Sequence, residues 1–122
     1  MYCVRIAYPA QPGSSFNWDH YFAVHLPLGL GLLRKHRGVT ALKVEVDRNI
    51  NDGKNGAAPY HCICSLYFAD QQGADALVGL FDIEEARRLL SDDWPKYTAT
   101  DPFIMVSEII EAGPASGRPM AG

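Results

Sequence analysis

The chain has 122 residues, 48% hydrophobic and 20% charged, enough length to enclose one core without disulfide or metal staples. A formal net charge of −3 argues against nucleic acid or an anionic membrane as a partner. No apolar run approaches the ~20 residues of a membrane-spanning helix. The opening Met1-Tyr2-Cys3-Val4-Arg5 alternates like a strand rather than a secretory leader, so a cytoplasmic location is expected.

Residues 2–8 place Tyr2, Val4, Ile6 and Tyr8 on one side and Cys3, Arg5 and Ala7 on the other; Pro9 and the turn pair Pro12-Gly13 end this first strand. A helix is predicted over residues 18–36. Asn17 serves as its N-cap, Phe16 and Tyr21 occupy the positions of a hydrophobic staple, and Asp19 puts negative charge in the first turn. Trp18, Tyr21, His25, Leu28 and Leu32 recur at steps of three or four, flanked by Phe22, Gly29 and Leu33. That apolar face contains a histidine, while Trp18, Tyr21 and Phe22 read first as core. Pro27 donates no backbone hydrogen bond and crowds the Ala23 carbonyl, so the helix is expected to kink or restart near Leu26. Lys35, His36 and Arg37 followed by Gly38 make its C-terminus.

Val39 to Asp47 alternates, with Leu42, Val44 and Val46 opposed to Lys43, Glu45 and Asp47, a second strand with one wet face. Arg48 to Ala58, rich in Asn, Asp and Gly, is a long hairpin connection. Tyr60 to Ala69 is the strongest strand: Tyr60, Cys62, Cys64, Leu66 and Phe68 share one face, His61, Ile63, Ser65 and Tyr67 the other. Asp70 caps a second helix bearing Ala74, Leu77, Val78 and Phe81, and Asp82-Ile83-Glu84-Glu85 reads as an acidic capping box that restarts it toward Leu89 and Leu90. Pro102 introduces a last strand, Phe103 to Ile109. The folded domain is expected over 1–112, with the Gly-, Pro-, Ala- and Ser-rich 113–122 as a flexible tail.

Three cysteines is an odd number, and Cys62 and Cys64 share a strand face with side chains ~7 Å apart, awkward for a disulfide. They read as reduced core residues. With no CxxC spacing and His61 on the opposite face, no metal site is expected. Gly29 and Gly31 lie within helical register and lack the preceding strand of a phosphate loop.

The order βαββαβ predicts an α+β, ferredoxin-like fold: an antiparallel four-stranded sheet with two helices on one face. The other face carries tyrosine and apolar groups and is left bare. Pairing two copies about a twofold axis covers it, so a homodimer with a concave, partly aromatic pocket between each sheet and its loops is expected.

Phe16, Tyr21 and the His25-x-Pro27-Leu28 element, the strand Tyr60-His61-Cys62-Ile63-Cys64-Ser65-Leu66-Tyr67-Phe68, and the late Asp93-Trp94-Pro95-Lys96-Tyr97-Thr98 resemble the EthD family. The likeness runs from the first strand through the fourth. It implies a dimeric α+β barrel, in a superfamily that includes small monooxygenases, lactone isomerases, polyketide cyclases and decarboxylases. The family takes its name from a component of ethyl tert-butyl ether degradation, which implies catabolism of small xenobiotic molecules.

His25 is the leading catalytic candidate, because an imidazole with an ordinary pKa of ~6.5 both takes and gives a proton near neutrality. Tyr8, Tyr67 or His61 is a candidate to hydrogen-bond a developing oxyanion, and Trp18, Tyr21 and Tyr97 are candidates to line the substrate pocket. Asp93 orients the imidazole if the late turn folds back over the first helix. The competing reading has His25 bridging the carbonyl freed by Pro27, with no chemistry. His20, five positions earlier, falls off the face of His25, and His36 is a helix-end residue.

Two functions stay open. One is an enzyme of isomerase, lyase or cofactor-free monooxygenase type, using His25 as general acid and base on a small apolar or aromatic substrate. The other is a non-catalytic carrier or accessory subunit that delivers an apolar compound to a partner oxygenase. No cofactor is expected, although haem with His25 as its proximal ligand stays open.

Overall fold

The computed structural model describes residues 1–116. Strands β1 (Tyr2–Pro9), β2 (Lys43–Arg48), β3 (Tyr60–Phe68) and β4 (Phe103–Glu108) form one sheet of order β2-β3-β1-β4, with every neighbouring pair antiparallel. The first helix starts as α1 (Trp18–His20), passes through a π turn (Tyr21–His25) and continues as α2 (Leu26–Arg37). The second begins as α3 (Gln71–Val78), tightens to a 3₁₀ turn (Gly79–Asp82), and resumes as α4 (Glu84–Asp93) before a last 3₁₀ turn (Trp94–Lys96). This is the α+β, ferredoxin-like order the alternation of elements predicts. Of the tail expected from residue 113, residues 117–122 lie outside the described residues.

Local signals place the ends of these elements. Asn17 Oδ1 accepts from the His20 amide at 3.1 Å, and Asp70 Oδ1 accepts from the Gly73 amide at 2.9 Å, two side chains satisfying donors that a helix start leaves orphaned. Phe16 and Tyr21 meet at 5.2 Å between ring centres, as a staple requires. Gly38 ends α2 at φ 64, a conformation glycine adopts without the Cβ penalty. The capping box expected at Asp82 does not form: Ile83 occupies the N-cap position with no side-chain hydrogen bond, and Asp82 belongs to the preceding 3₁₀ turn.

Register puts Tyr2, Val4, Ile6 and Tyr8 of β1 beside Phe68, Leu66, Cys64 and Cys62 of β3, on the face the helices cover. Val4, Tyr8, Cys62, Cys64, Leu66 and Phe68 are buried there with Leu32 and Leu33 of α2, Ala74 of α3 and Leu90 of α4. The second strand is shorter than predicted: residues 39–42 precede it, and Leu42 stands 62% exposed. Leu42 donates its amide to the Tyr67 carbonyl at 2.8 Å, one residue ahead of the strand.

On the face away from the helices, Arg5 Nη1 donates to Ser65 Oγ at 2.8 Å, while Lys43 lies 5.4 Å from the centre of the Tyr67 ring. The β4 edge of that face is apolar and open, with Phe103 and Met105 60% and 44% exposed. No helix among the described residues is long and apolar enough to cross a membrane.

Candidate functional site

The site begins with the π turn. Leu26 donates its amide to the Tyr21 carbonyl, five residues back rather than four, and the next residue, Pro27, has no amide to give. Widening the turn at this point accommodates the proline ring without breaking the helix. It also changes which side chains share a face. In a regular α-helix, residues five apart point well away from each other; across this turn His20 and His25 both reach one carboxylate.

That carboxylate is Asp93, the last residue of α4. His20 Nε2 lies 2.8 Å from Oδ1 and His25 Nδ1 lies 2.9 Å from Oδ2. A carboxylate only accepts, so both imidazoles donate. Asp93 sits at the end of a helix, where the dipole disfavours negative charge, and its side chain is only 6% exposed. Burial would raise its pKa, but the hydrogen bonds and charges of His20 and His25 outweigh that and hold the carboxyl below the usual range. The turn after α4 is tied to the start of the first helix: Asn17 donates its amide to the Tyr97 carbonyl at 2.8 Å, and Phe16 and Thr98 form an isolated bridge. These backbone bonds bring Asp93 over His25.

His25 is buried between two tyrosines. The Tyr21 ring lies nearly parallel to the imidazole at 5.8 Å and Tyr97 packs at 4.5 Å. Tyr97 in turn meets Tyr8 hydroxyl to hydroxyl at 2.9 Å. Burial lowers the His25 pKa, and Asp93 only partly offsets it, so the ring is neutral at physiological pH. Because Nδ1–H is committed to Asp93, Nε2 carries the free lone pair, and among the described residues Asp93 is the one side-chain hydrogen-bond partner His25 has. The bridge to a backbone carbonyl offered as the alternative role of His25 is therefore not what its bonded nitrogen does.

His25 lines a cavity of about 60 Å³ between the helices and the sheet. Its wall is mainly apolar and includes Ile6, Leu26, Leu30, Leu77, Phe81 and Ile104, and Tyr8, Tyr21 and Cys64 also line it. Burial pushes the Cys62 and Cys64 thiols up to about 12 and about 11, so neither is a nucleophile near neutrality. Burial also raises the Tyr8, Tyr21 and Tyr97 hydroxyls, which keep their protons. A space this small has no room for a macrocycle beside His25, so the residues present do not fit haem.

The candidate residues thus separate. His25, Asp93, Tyr8, Tyr21 and Tyr97 come together. Tyr67 does not join them, because strand alternation sends it to the face away from the helices, against Glu45. His61 bonds Ser14 Oγ at 2.9 Å and, with Trp18, lines a separate open cleft beside Arg48. Trp18 stacks on Phe22, which is half exposed rather than core. His20 is the residue the helical periodicity misassigned. The signals that mark it are Pro27, a reason for the helix to deviate, and Asp93, an acid at a helix end that needs donors.

Fold and site together define a small α+β protein of split βαβ topology, with a carboxylate-oriented histidine at the wall of an apolar cavity. The chain belongs to the EthD family: the EthD domain model matches residues 14–101, well over half of it. Among solved structures it resembles an EthD-like protein from Ralstonia eutropha JMP134, at 19% identity and a TM-score of 0.70 over 92% of this chain and 94% of that one. It also resembles an ethyl tert-butyl ether EthD family protein from Bacillus halodurans C-125, at 23% identity and a TM-score of 0.56 over 90% of this chain and all of that one. Both likenesses show the fold. No curated protein matches the chain.

Proposed function

We propose that this EthD protein is an enzyme that moves a proton on a small apolar molecule, with His25 as general base and acid and Asp93 orienting it. The observation that carries this reading is the 2.9 Å bond from His25 Nδ1 to Asp93, which leaves Nε2 unbonded on a residue that lines a cavity. Nε2 takes a proton from the substrate, and the imidazolium that forms is stabilised by the carboxylate. Returning the proton to a different atom completes an isomerisation; delivering it to the carbanion left by loss of carbon dioxide completes a decarboxylation. A neutral tyrosine hydroxyl at the wall, Tyr8 or Tyr21, is suited to donate to a developing oxyanion. The apolar wall and the family's association with an ether support a compact xenobiotic substrate and a catabolic role, and the three buried free cysteines fit the reducing cytoplasm.

Exchange of the α-hydrogens of butanone for deuterium, followed by proton NMR in D₂O, tests the chemistry directly. The protein is expected to accelerate exchange above the buffer rate, and His25→Gln to remove the acceleration. Absent acceleration, or acceleration unchanged in His25→Gln, overturns the reading; butanone binding by the unmodified protein with no exchange above the buffer rate, the binding surviving in His25→Gln, is the result a carrier for an oxygenase system gives.

The same reading includes a homodimer. Phe103 and Met105 are exposed on the uncovered sheet face, an apolar edge that a second copy buries by symmetry. Sedimentation equilibrium at micromolar concentration is expected to give twice the chain mass and Met105→Glu to halve it; a monomer from the unmodified chain refutes the dimer.

A further inference from the structure

We infer that Gly29 is the specificity-determining position of the cavity, its missing side chain setting the size of molecule admitted beside His25. The inference rests on the reading of this cavity as a ligand site. Glycine is the poorest helix former after proline, so one in the middle of α2 calls for a reason. Backbone conformation does not supply it: the glycines at positive φ are Gly13, Gly38, Gly53 and Gly113, and Gly29 is not among them. Close packing does not supply it either. A Cβ at Gly73 would meet the Phe68 ring at 3.0 Å, whereas a Cβ at Gly29 meets only Leu90 Cδ2, at an ordinary 3.9 Å.

What distinguishes Gly29 is its place in the wall. It follows His25 by four residues, about one turn, and it lines the same cavity as Leu90. The one heavy atom a Cβ there meets within 4 Å belongs to Leu90, itself part of the wall, so on this inference each added carbon is drawn from the volume a ligand would use. In a cavity of about 60 Å³, a methyl removes a sizeable share and an isobutyl group fills most of what is left. The admitted class is then a compact apolar molecule of a few heavy atoms with a single polar group for His25. Gly31, two residues on, is the internal control: it is also helical, has nothing within 4 Å of its Cβ and is not part of the wall.

Xenon is a probe that needs volume and no chemistry. Titration followed by ¹²⁹Xe NMR is expected to show xenon binding to the unmodified protein, weakened several-fold in Gly29→Ala, lost in Gly29→Leu and unchanged in Gly31→Ala. Gly29→Ala should at the same time melt several degrees higher, as the gain in helix propensity dictates, which excludes misfolding as the cause of the loss. His25→Gln should keep its xenon, so the volume result and the proton-transfer result fail independently. In the ketone assay, Gly29→Ala should raise the ratio of acetone to butanone exchange several-fold. Xenon affinity unaltered in Gly29→Ala and Gly29→Leu, or no xenon bound by the unmodified chain, overturns the inference.

Discussion

His25 and Asp93 stand 68 residues apart in the chain and 2.9 Å apart in the fold. The bond sets the tautomer of the histidine, because the carboxylate accepts the Nδ1 proton and leaves Nε2 bare. Asp93→Asn is close to isosteric, but its amide no longer fixes that tautomer. The expected result is a folded protein whose ketone exchange falls on the order of 10⁴-fold, by analogy with carboxylate-to-amide changes at other oriented histidines. Two-dimensional ¹H–¹⁵N NMR of the imidazoles should show His25 Nε2 becoming protonated in the variant. Full activity in Asp93→Asn removes the orienting role.

Stability should fall on acidification. The folded His25 holds its pKa below the ordinary 6.5 because burial disfavours the cation, so below 6.5 the unfolded chain binds a proton that the folded chain does not. Stability therefore rises with pH through that window and is lost as pH drops below it. Asp93, held under the ordinary 3.8, adds a loss of the same sign once pH falls through 3.8. Urea midpoints at pH 8, 6.5 and 5 should be flat over the first interval and fall over the second, with a smaller fall in His25→Gln. A midpoint that rises between pH 6.5 and 5 contradicts this.

The Tyr8 and Tyr97 hydroxyls, 2.9 Å apart and buried, should show coupling. Tyr97→Phe leaves the Tyr8 hydroxyl without its partner and should cost about 1–3 kcal/mol, and Tyr8→Phe a similar amount. The double variant should cost less than the two singles together, since no hydroxyl is then stranded. Denaturant unfolding of all four proteins measures it, and strict additivity would show that the pair contributes nothing as a pair.

Pro27→Ala restores an amide and removes the ring from the Ala23 carbonyl. The helix should tighten toward regular α geometry, turning His20 away from Asp93 while His25 keeps its bond. In NMR the His20 Nε2 proton, protected by Asp93 in the unmodified protein, should exchange with water at least several-fold faster. A His20 signal unchanged in Pro27→Ala would show that packing, not proline, makes the π turn.

Much of the fold could be read along the chain because its signals are local. Asn17, Asp70 and Gly38 act on backbone groups within a few residues of themselves, and the alternation from Tyr60 to Phe68 sorts inner from outer faces without knowledge of a partner strand. At Asp82 the break and restart of the helix follow the reading, but the capping box does not: the chain there has two short-range choices, and packing of Leu80 into the core accompanies a 3₁₀ turn that ends at Asp82.

What the sequence by itself determined was the order of elements, their inward faces, the histidine on an apolar stripe and the proline beside it. Only the tertiary structure decided that α4 ends against the first helix, that one carboxylate serves both His20 and His25, and that a cavity remains at Gly29. Those outcomes depend on the summed geometry of a π turn, a sheet register and a helix crossing, each a long-range relation that no window of neighbouring residues contains.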